Sequence, residues 1–379
     1  MKLIVGMPWR LDWNFSGLAK RVKACFNSIS DLGIEVDLIC LGPKTRKERF
    51  SVSRIKVNTT HHKDPFSSLI NSLAFSHEFA KRVIKEKNAI IQCFNTTSLF
   101  LGGKNYLFET ANPTYSFALE AVKDEYPKTA KYHRFLNYYS TVAELEKLEY
   151  EGARTIIANS EIVKNNIRQC YDVEKERITV IPNGVLPEEC NFDRSFNELS
   201  GMKIVIFPSS IHVMKGFRYL VEAMVNVRKE FPDTVLFVCG RIHPFEYDIF
   251  EPLIKRMRKK SGLVLLGFLP REKLFKYFHL ADVCCIPLIF GTMSNAILEA
   301  VAHGLPIVTT KHSGFPEIDK VGIKVPPKDS KTIADAIIGL LSDQELRRKK
   351  SDSARKVIEK YYWNNLAEEF KDIYKKMLN

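Results

Sequence analysis

At 379 residues the chain is too long for one ordinary hydrophobic core, and two domains are the natural expectation. Its 45% hydrophobic and 27% charged content is that of a soluble globular protein, and no run approaches the roughly 18 apolar residues that would span a bilayer. A net charge of +13 leaves nucleic acid, an anionic membrane surface or phosphorylated substrates as partner classes.

The apolar run in MKLIVGMPW is too short for a signal peptide and reads as a first strand over 3–6. Strand-like runs follow at 36–40, 89–93, 106–108, 155–158 and 178–181. Helical patterns fall between them, notably at 18–32 and 75–87. That alternation implies parallel strands joined by right-handed crossovers. It lapses in VLPEECNFDRSFNELS, a linker by composition, and then restarts. The second set has strands at 204–207, 234–239, 263–266, 283–286 and 307–310. Its helices are expected at 217–230, 247–260, 271–280 and 296–303. A last helix, about 363–378, carries Trp363, Leu366, Phe370, Ile373, Tyr374 and Met377 on one stripe. The fold class is therefore α/β, with two doubly wound domains whose strand ends open on a shared cleft.

The eight cysteines form no C-x-x-C pair, and most sit in apolar runs, which suits buried thiols in a reducing cytoplasm. The nine histidines show no metal-ligand spacing beside acids or cysteines, so no metal is expected. The basic runs KRMRKK (255–260) and RRKK (347–350) read as solvated helix faces. Neither has the interleaved aromatics of a single-strand nucleic-acid platform, and no nucleic-acid partner is expected.

Five strand-to-turn junctions suit a nucleoside diphosphate. FSGLAKR puts Gly17 before a helix, where backbone can approach phosphate. FPSSIHVMKG supplies Lys215 as a point charge. Gly240 and Arg241 end one strand, and the turn with Gly267, Phe268 and Leu269 ends another. The fifth, FGTMSNAILEAVAHGLPIVTT, aims the N–H groups of a helix N-terminus at one spot and places Glu299 one turn in, within reach of hydroxyls. Four of the five lie in the second half, where the nucleotide is expected to bind.

The second half resembles the family 4 glycosyltransferases, a retaining class with the GT-B architecture of two Rossmann-like domains facing a central cleft. The resemblance is carried by IANS (157–160), IPNGV (181–185), MKG and LVEAM (214–216, 220–224) and LLGFLPREKLFKYFHLADVCCIPL (265–288). SNAILEAVAHGLPIV (294–308), HSGFPEI (312–318) and KVPPKD (324–329) continue it in order. It implies domains at 1–185 and 201–362, with a linker at 186–200 and a helix at 363–379 that crosses back to the first domain. The first domain takes the acceptor and the second the sugar nucleotide.

Residue by residue, the resemblance implies that Glu299 binds the ribose and that Thr292, Met293, Ser294 and Asn295 present backbone amides to the sugar and diphosphate. Lys215 neutralises the leaving diphosphate, and Gly267, Phe268 and Leu269 border the base. Two positions depart from the pattern: the first acid of the Glu-x7-Glu motif falls on Gly291, and a common arginine falls on Ser210. A histidine often found in the first domain is replaced near Glu109 and Thr110. The implied reaction is metal-independent retaining transfer from a nucleotide-diphosphate sugar to a glycan, lipid-linked or small-molecule acceptor, with no cofactor. The alternatives are a non-catalytic nucleotide- or partner-binding protein and a sugar-nucleotide epimerase. The acceptor face is expected around Trp9, Arg10, Trp13, Asn14, Phe15 and 112–117. The charge and the aromatic-basic segment 9–20 further suggest reversible contact with an anionic inner membrane face.

Overall fold

The computed structural model describes residues 1–10, 17–41, 48–57, 65–103, 105–110, 114–192 and 202–378. The chain forms two compact units, Met1–Gly184 with Tyr362–Asn379, and Val185–Tyr361.

In the first unit, β1 (Lys2–Arg10), α1 (Gly17–Asp31), β2 (Glu35–Leu41), β3 (Ser51–Arg54), α2 (Pro65–Val83) and β4 (Ala89–Phe94) build one half of a sheet. β5 (Leu107–Glu109), α3 (Tyr115–Val122), α4 (Ala130–Gly152), β6 (Thr155–Ala158), α5 (Glu161–Tyr171) and β7 (Ile178–Val180) complete it. The strands are parallel in the order β3-β2-β1-β4-β5-β6-β7, so the order reverses between β1 and β4. The central strands are buried on both faces, which explains their unbroken Val/Ile/Leu runs. Ile4, Ile91, Phe75, Phe79, Phe108 and Tyr150 belong to the core. Gly6 permits that packing, because a Cβ there would lie 2.7 Å from the Phe79 ring.

In the second unit the elements are β8 (Ile204–Phe207), α6 (Phe217–Glu230), β9 (Val235–Val238), α7 (Tyr247–Met257), β10 (Leu263–Leu265) and α8 (Arg271–Leu280). They continue with β11 (Val283–Ile286), α9 (Asn295–Ala302), β12 (Ile307–Thr310), α10 (Ile318–Val321), β13 (Gly322–Val325), α11 (Ser330–Ser342) and α12 (Gln344–Ile358). The parallel order is β10-β9-β8-β11-β12-β13, reversing between β8 and β11. Ligands of such sheets bind outside the strand C-termini at that reversal.

α13 (Trp363–Leu378) packs on α1 and β4 in the first unit. Arg21 lies 5.6 Å above the Trp363 ring and pairs with Glu109. Gln92 bonds Glu109 and accepts from the Tyr374 hydroxyl at 2.6 Å. Four elements thus share one buried polar network.

The RRKK run departs from the solvated face expected of it. Arg347 is only 3% exposed and donates to the carbonyls of Leu340 and Leu341 at 2.5 and 2.9 Å. The last turn of α11 has no intrahelical partners for those oxygens, and the guanidinium supplies them.

Candidate functional site

The residues at the β8 and β11 C-termini are held together by backbone. After β8, the chain makes a single 3-10 turn, Val213–Lys215, closed by Gly216 at φ +68. Only glycine suits that place, since the conformation is left-handed and a Cβ would strike the carbonyl oxygen of Pro287. Met214 O accepts from Ile289 N at 3.0 Å, which ties the Lys215 turn to the segment leading into the 291–294 turn. Ser294 N in turn donates to Ser313 O at 3.1 Å, and Gly314 fits tightly under Met293.

Lys215 is partly buried, and desolvation lowers its pKa. Among the described residues no carboxylate pairs with it. A cation withdrawn from water without a counter-charge favours a bound anion. Across the turn, α9 begins with no side-chain cap from Ser294, and the N–H groups of its first turn lack intrahelical acceptors. Thr292, Ser294 and Asn295 are half-buried there, whereas Met293 is buried and contributes backbone only.

Glu299 projects from the same helix with its side chain 14% exposed. Arg271, the first residue of α8, places Nη2 3.3 Å from Glu299 Oε1, pairs also with Glu189, and lies 5.0 Å from the Phe275 ring centroid. Gly267 (φ +67), Phe268 and Leu269 lie in the turn just before α8, the latter two half-buried. Arg271 therefore links that turn to Glu299, a role the sequence did not disclose.

Ser210 and Arg241 are exposed neighbours, because Ile211 N donates to Arg241 O at 2.9 Å beside an isolated parallel bridge, Ile211 to Ile242. The same bridge brings His212, His243 and Glu246 together, a cluster that sequence spacing missed. Gly291 is enclosed: a Cβ would lie 2.9 Å from Leu288 Cδ2 and 3.1 Å from His312 O.

Gly17 is the first residue of α1 in the other unit. That unit has its own cavity of about 320 Å³, lined by Trp9, Asn95, Tyr115, Tyr138, Glu146 and Glu149 among others. Asn95 holds φ +43, an uncommon conformation for a side-chain-bearing residue. Burial raises the Glu146 carboxyl to about 7 although Tyr171, Tyr150 and the Tyr115 amide all donate to it. Burial also raises Glu149, which accepts from the Ser98 hydroxyl at 2.7 Å. Glu109, near the expected histidine position, is turned into the Arg21 pair. Trp13, Asn14, Phe15 and 111–113 lie outside the described residues.

Known proteins share this fold. Residues 15–189 match the model described as Glycosyltransferase Family 4, and 202–343 match Glycosyl transferases group 1. The chain belongs to the GT-B glycosyltransferases. An uncharacterised glycosyltransferase of Methanocaldococcus jannaschii is 26% identical over 381 residues, covering 95% of this chain and 94% of that protein. Sucrose-phosphate synthase from Thermosynechococcus elongatus shares the fold at TM-score 0.78 and 18% identity, covering 100% of this chain and 99% of that one. An Anabaena protein, HepE, solved with UDP, does so at TM-score 0.70 and 14% identity, each chain covered to 99%. Relatives named for a particular transfer are matched over about half of their own length. No helix among the described residues is long and apolar enough to cross a membrane.

Proposed function

We propose that this glycosyltransferase moves a sugar from a nucleoside-diphosphate sugar to a hydroxyl acceptor with retention of configuration. The observation that carries the donor reading is the partly buried Lys215, which pairs with no carboxylate among the described residues and whose turn is tied through Met214 O to Ile289 N, on the segment leading into α9, at the sheet's reversal point. The diphosphate lies against Lys215 and the α9 amides, the ribose hydroxyls meet Glu299, and the base borders Gly267, Phe268 and Leu269. UDP in the Anabaena relative supports a nucleotide ligand on this fold.

In the reaction the anomeric carbon–oxygen bond to the diphosphate breaks as the acceptor oxygen bonds the same face. A phosphate oxygen takes the acceptor's proton. The protein's contribution is orientation, and a fixed cation and oriented dipoles where the leaving group gains charge. This chemistry draws on no metal or cofactor. The acceptor, a glycan, lipid-linked or small-molecule alcohol, occupies the cavity under Trp9, Tyr115 and Tyr138, whose rings suit sugar faces. The protein works in the cytoplasm, in reversible contact with an anionic membrane face.

Thermal shifts with UDP-, GDP-, ADP- and dTDP-sugars, followed by nuclear magnetic resonance of product configuration, test this reading. Stabilisation by one nucleotide class, then release of nucleotide and an axial or equatorial bond matching the donor, is expected. An inverted product removes the retaining mechanism. Gly291 and Ser210, each lacking the charge common in the family, favour a second reading of binding without transfer. Nucleotide bound but never released from its sugar, with any acceptor offered, would establish that one. Conversion of the donor sugar without nucleotide release would mark an epimerase.

A further inference from the structure

His212, His243 and Glu246 converge from two loops of the second unit. His212 precedes the turn that carries Lys215, while His243 precedes and Glu246 ends the one-turn helix after β9. The loops are fixed by reciprocal backbone bonds, Ile211 N to Arg241 O and His243 N to Ile211 O, each 2.9 Å. One ligand-type atom from each of the three side chains lies within 4.8 Å of the others.

One polar atom of the cluster, His243 Nδ1, has no hydrogen-bond partner. Glu246 is fully buried, and its Oε2 accepts from Val213 N at 3.0 Å. Its Oε1 lies 3.4 Å from His212 Nδ1. That nitrogen accepts from Met214 N at 3.2 Å, so it carries a lone pair and no proton. His243 Nδ1 is buried with no hydrogen-bond partner, and the two imidazoles lie 4.6 Å apart between centroids. Burial, then the neighbouring His243 and Lys215 charges, holds His212 well below the usual histidine range, and burial lowers His243 too.

We propose that His212, His243 and Glu246 bind one divalent transition-metal ion, with zinc the best match. Two imidazoles and a carboxylate are a zinc donor set, and nitrogen donors disfavour magnesium and calcium. Zinc ligands at about 2.0–2.1 Å in a tetrahedron stand roughly 3.3 Å apart, close to the separation of His212 and Glu246. His243, half-exposed on its loop, closes the remaining distance by side-chain rotation. The ion takes the His212 Nδ1 lone pair from Met214 N–H, whose bond is long. The fourth position stays open to water or an anion. The ion would sit at the start of the turn ending in Lys215, adding positive charge to that loop. The proposal does not rest on the transfer reading, and the ion takes no part in the reaction written above.

The test uses the full chain, stripped with a chelator and dialysed, titrated with Zn2+ by calorimetry and with Co2+ by visible absorption. One equivalent bound, a rise in melting temperature and a tetrahedral nitrogen–oxygen Co2+ spectrum are expected. His243→Ala removes a ligand but no hydrogen bond, so its metal-free melting should match the parent. Its affinity should fall by more than the roughly 10–100-fold lost when only a ligand's outer partner is removed. Glu246→Gln, which keeps an acceptor for Val213 N–H, should fall comparably. Absence of saturable binding to the parent chain, or affinity in both variants equal to the parent's, overturns the site and leaves the cluster as a clasp between loops.

Discussion

Arg271 Nη2 stands 3.3 Å from Glu299 Oε1, and the same guanidinium also reaches Glu189. Glu299 is therefore held on one side and presents its remaining lone pairs on the other. It is not a freely solvated acid.

Glu299→Gln should weaken donor binding about five- to tenfold, because a charge-assisted bond exceeds a neutral one by about 1 kcal/mol. The Arg271 pair is partly exposed, so stability should fall by less than about 1 kcal/mol. Calorimetric titration with the preferred sugar nucleotide reads the first quantity and urea unfolding the second. Unchanged affinity would remove the ribose role.

Lys215→Ala should lower turnover on the order of 100-fold, the usual cost of losing a preorganised group that stabilises transition-state charge. Ser210 cannot share that load. Steady-state rates at saturating donor decide it, and a loss under about threefold would shift the role to Arg241 or another cation.

Restoring the missing acid should not improve the enzyme. Gly291→Glu forces a Cβ to 2.9 Å from Leu288 Cδ2 and 3.1 Å from His312 O, so the turn must open. Overpacking of this kind typically costs about 1–3 kcal/mol. Denaturant unfolding should show that loss and kinetics no gain. A faster enzyme of unchanged stability would mean the turn has room.

The pH profile of stability should carry the mark of Glu146. Its folded carboxyl titrates at about 7 against an ordinary 4.5, so the folded state holds the extra proton between those values. Stability is then fullest below about pH 4.5 and declines as pH rises through 7, by about 3 kcal/mol from this group. Glu149, raised by the same burial, acts in the same direction. Glu146→Gln should flatten the decline between pH 5 and 8 in parallel urea series. An equally steep decline in the variant would assign it elsewhere.

Sedimentation with vesicles tests the membrane contact. Binding to anionic but not neutral vesicles at low salt, lost at high salt, is expected of a chain with net charge +13. Protein remaining in the supernatant with anionic vesicles would favour a soluble acceptor.

Strands β6, β8, β11 and β12 were legible to the residue because each is a short, largely buried apolar run between turn signals. β3, with sequence SVSR, is a half-exposed edge strand and has no such pattern. α4 escaped notice for the opposite reason: its buried face includes Glu146 and Glu149, which dilute the helical period. At the site, Lys215, Glu299 and the 291–295 turn stood out through local chemistry and family likeness. The His212, His243 and Glu246 cluster did not, since a two-residue bridge between separate loops creates it. Arg347 looked solvated because a basic run does not reveal which of its members meets a neighbouring helix end.

The first unit is discontinuous, and its helix α13 contributes Trp363 and Tyr374 to a core made otherwise from residues before 185. On a ribosome, all seven strands of the first sheet emerge before the second unit, yet α13, which packs on α1 and β4, emerges only after it. The Gln92, Glu109 and Arg21 network waits through synthesis of the whole second unit with the Tyr374 hydroxyl missing. A chain that stops before Trp363 would thus carry the whole second unit attached to a first one with the apolar face under α13 open, a natural target for chaperones and proteases.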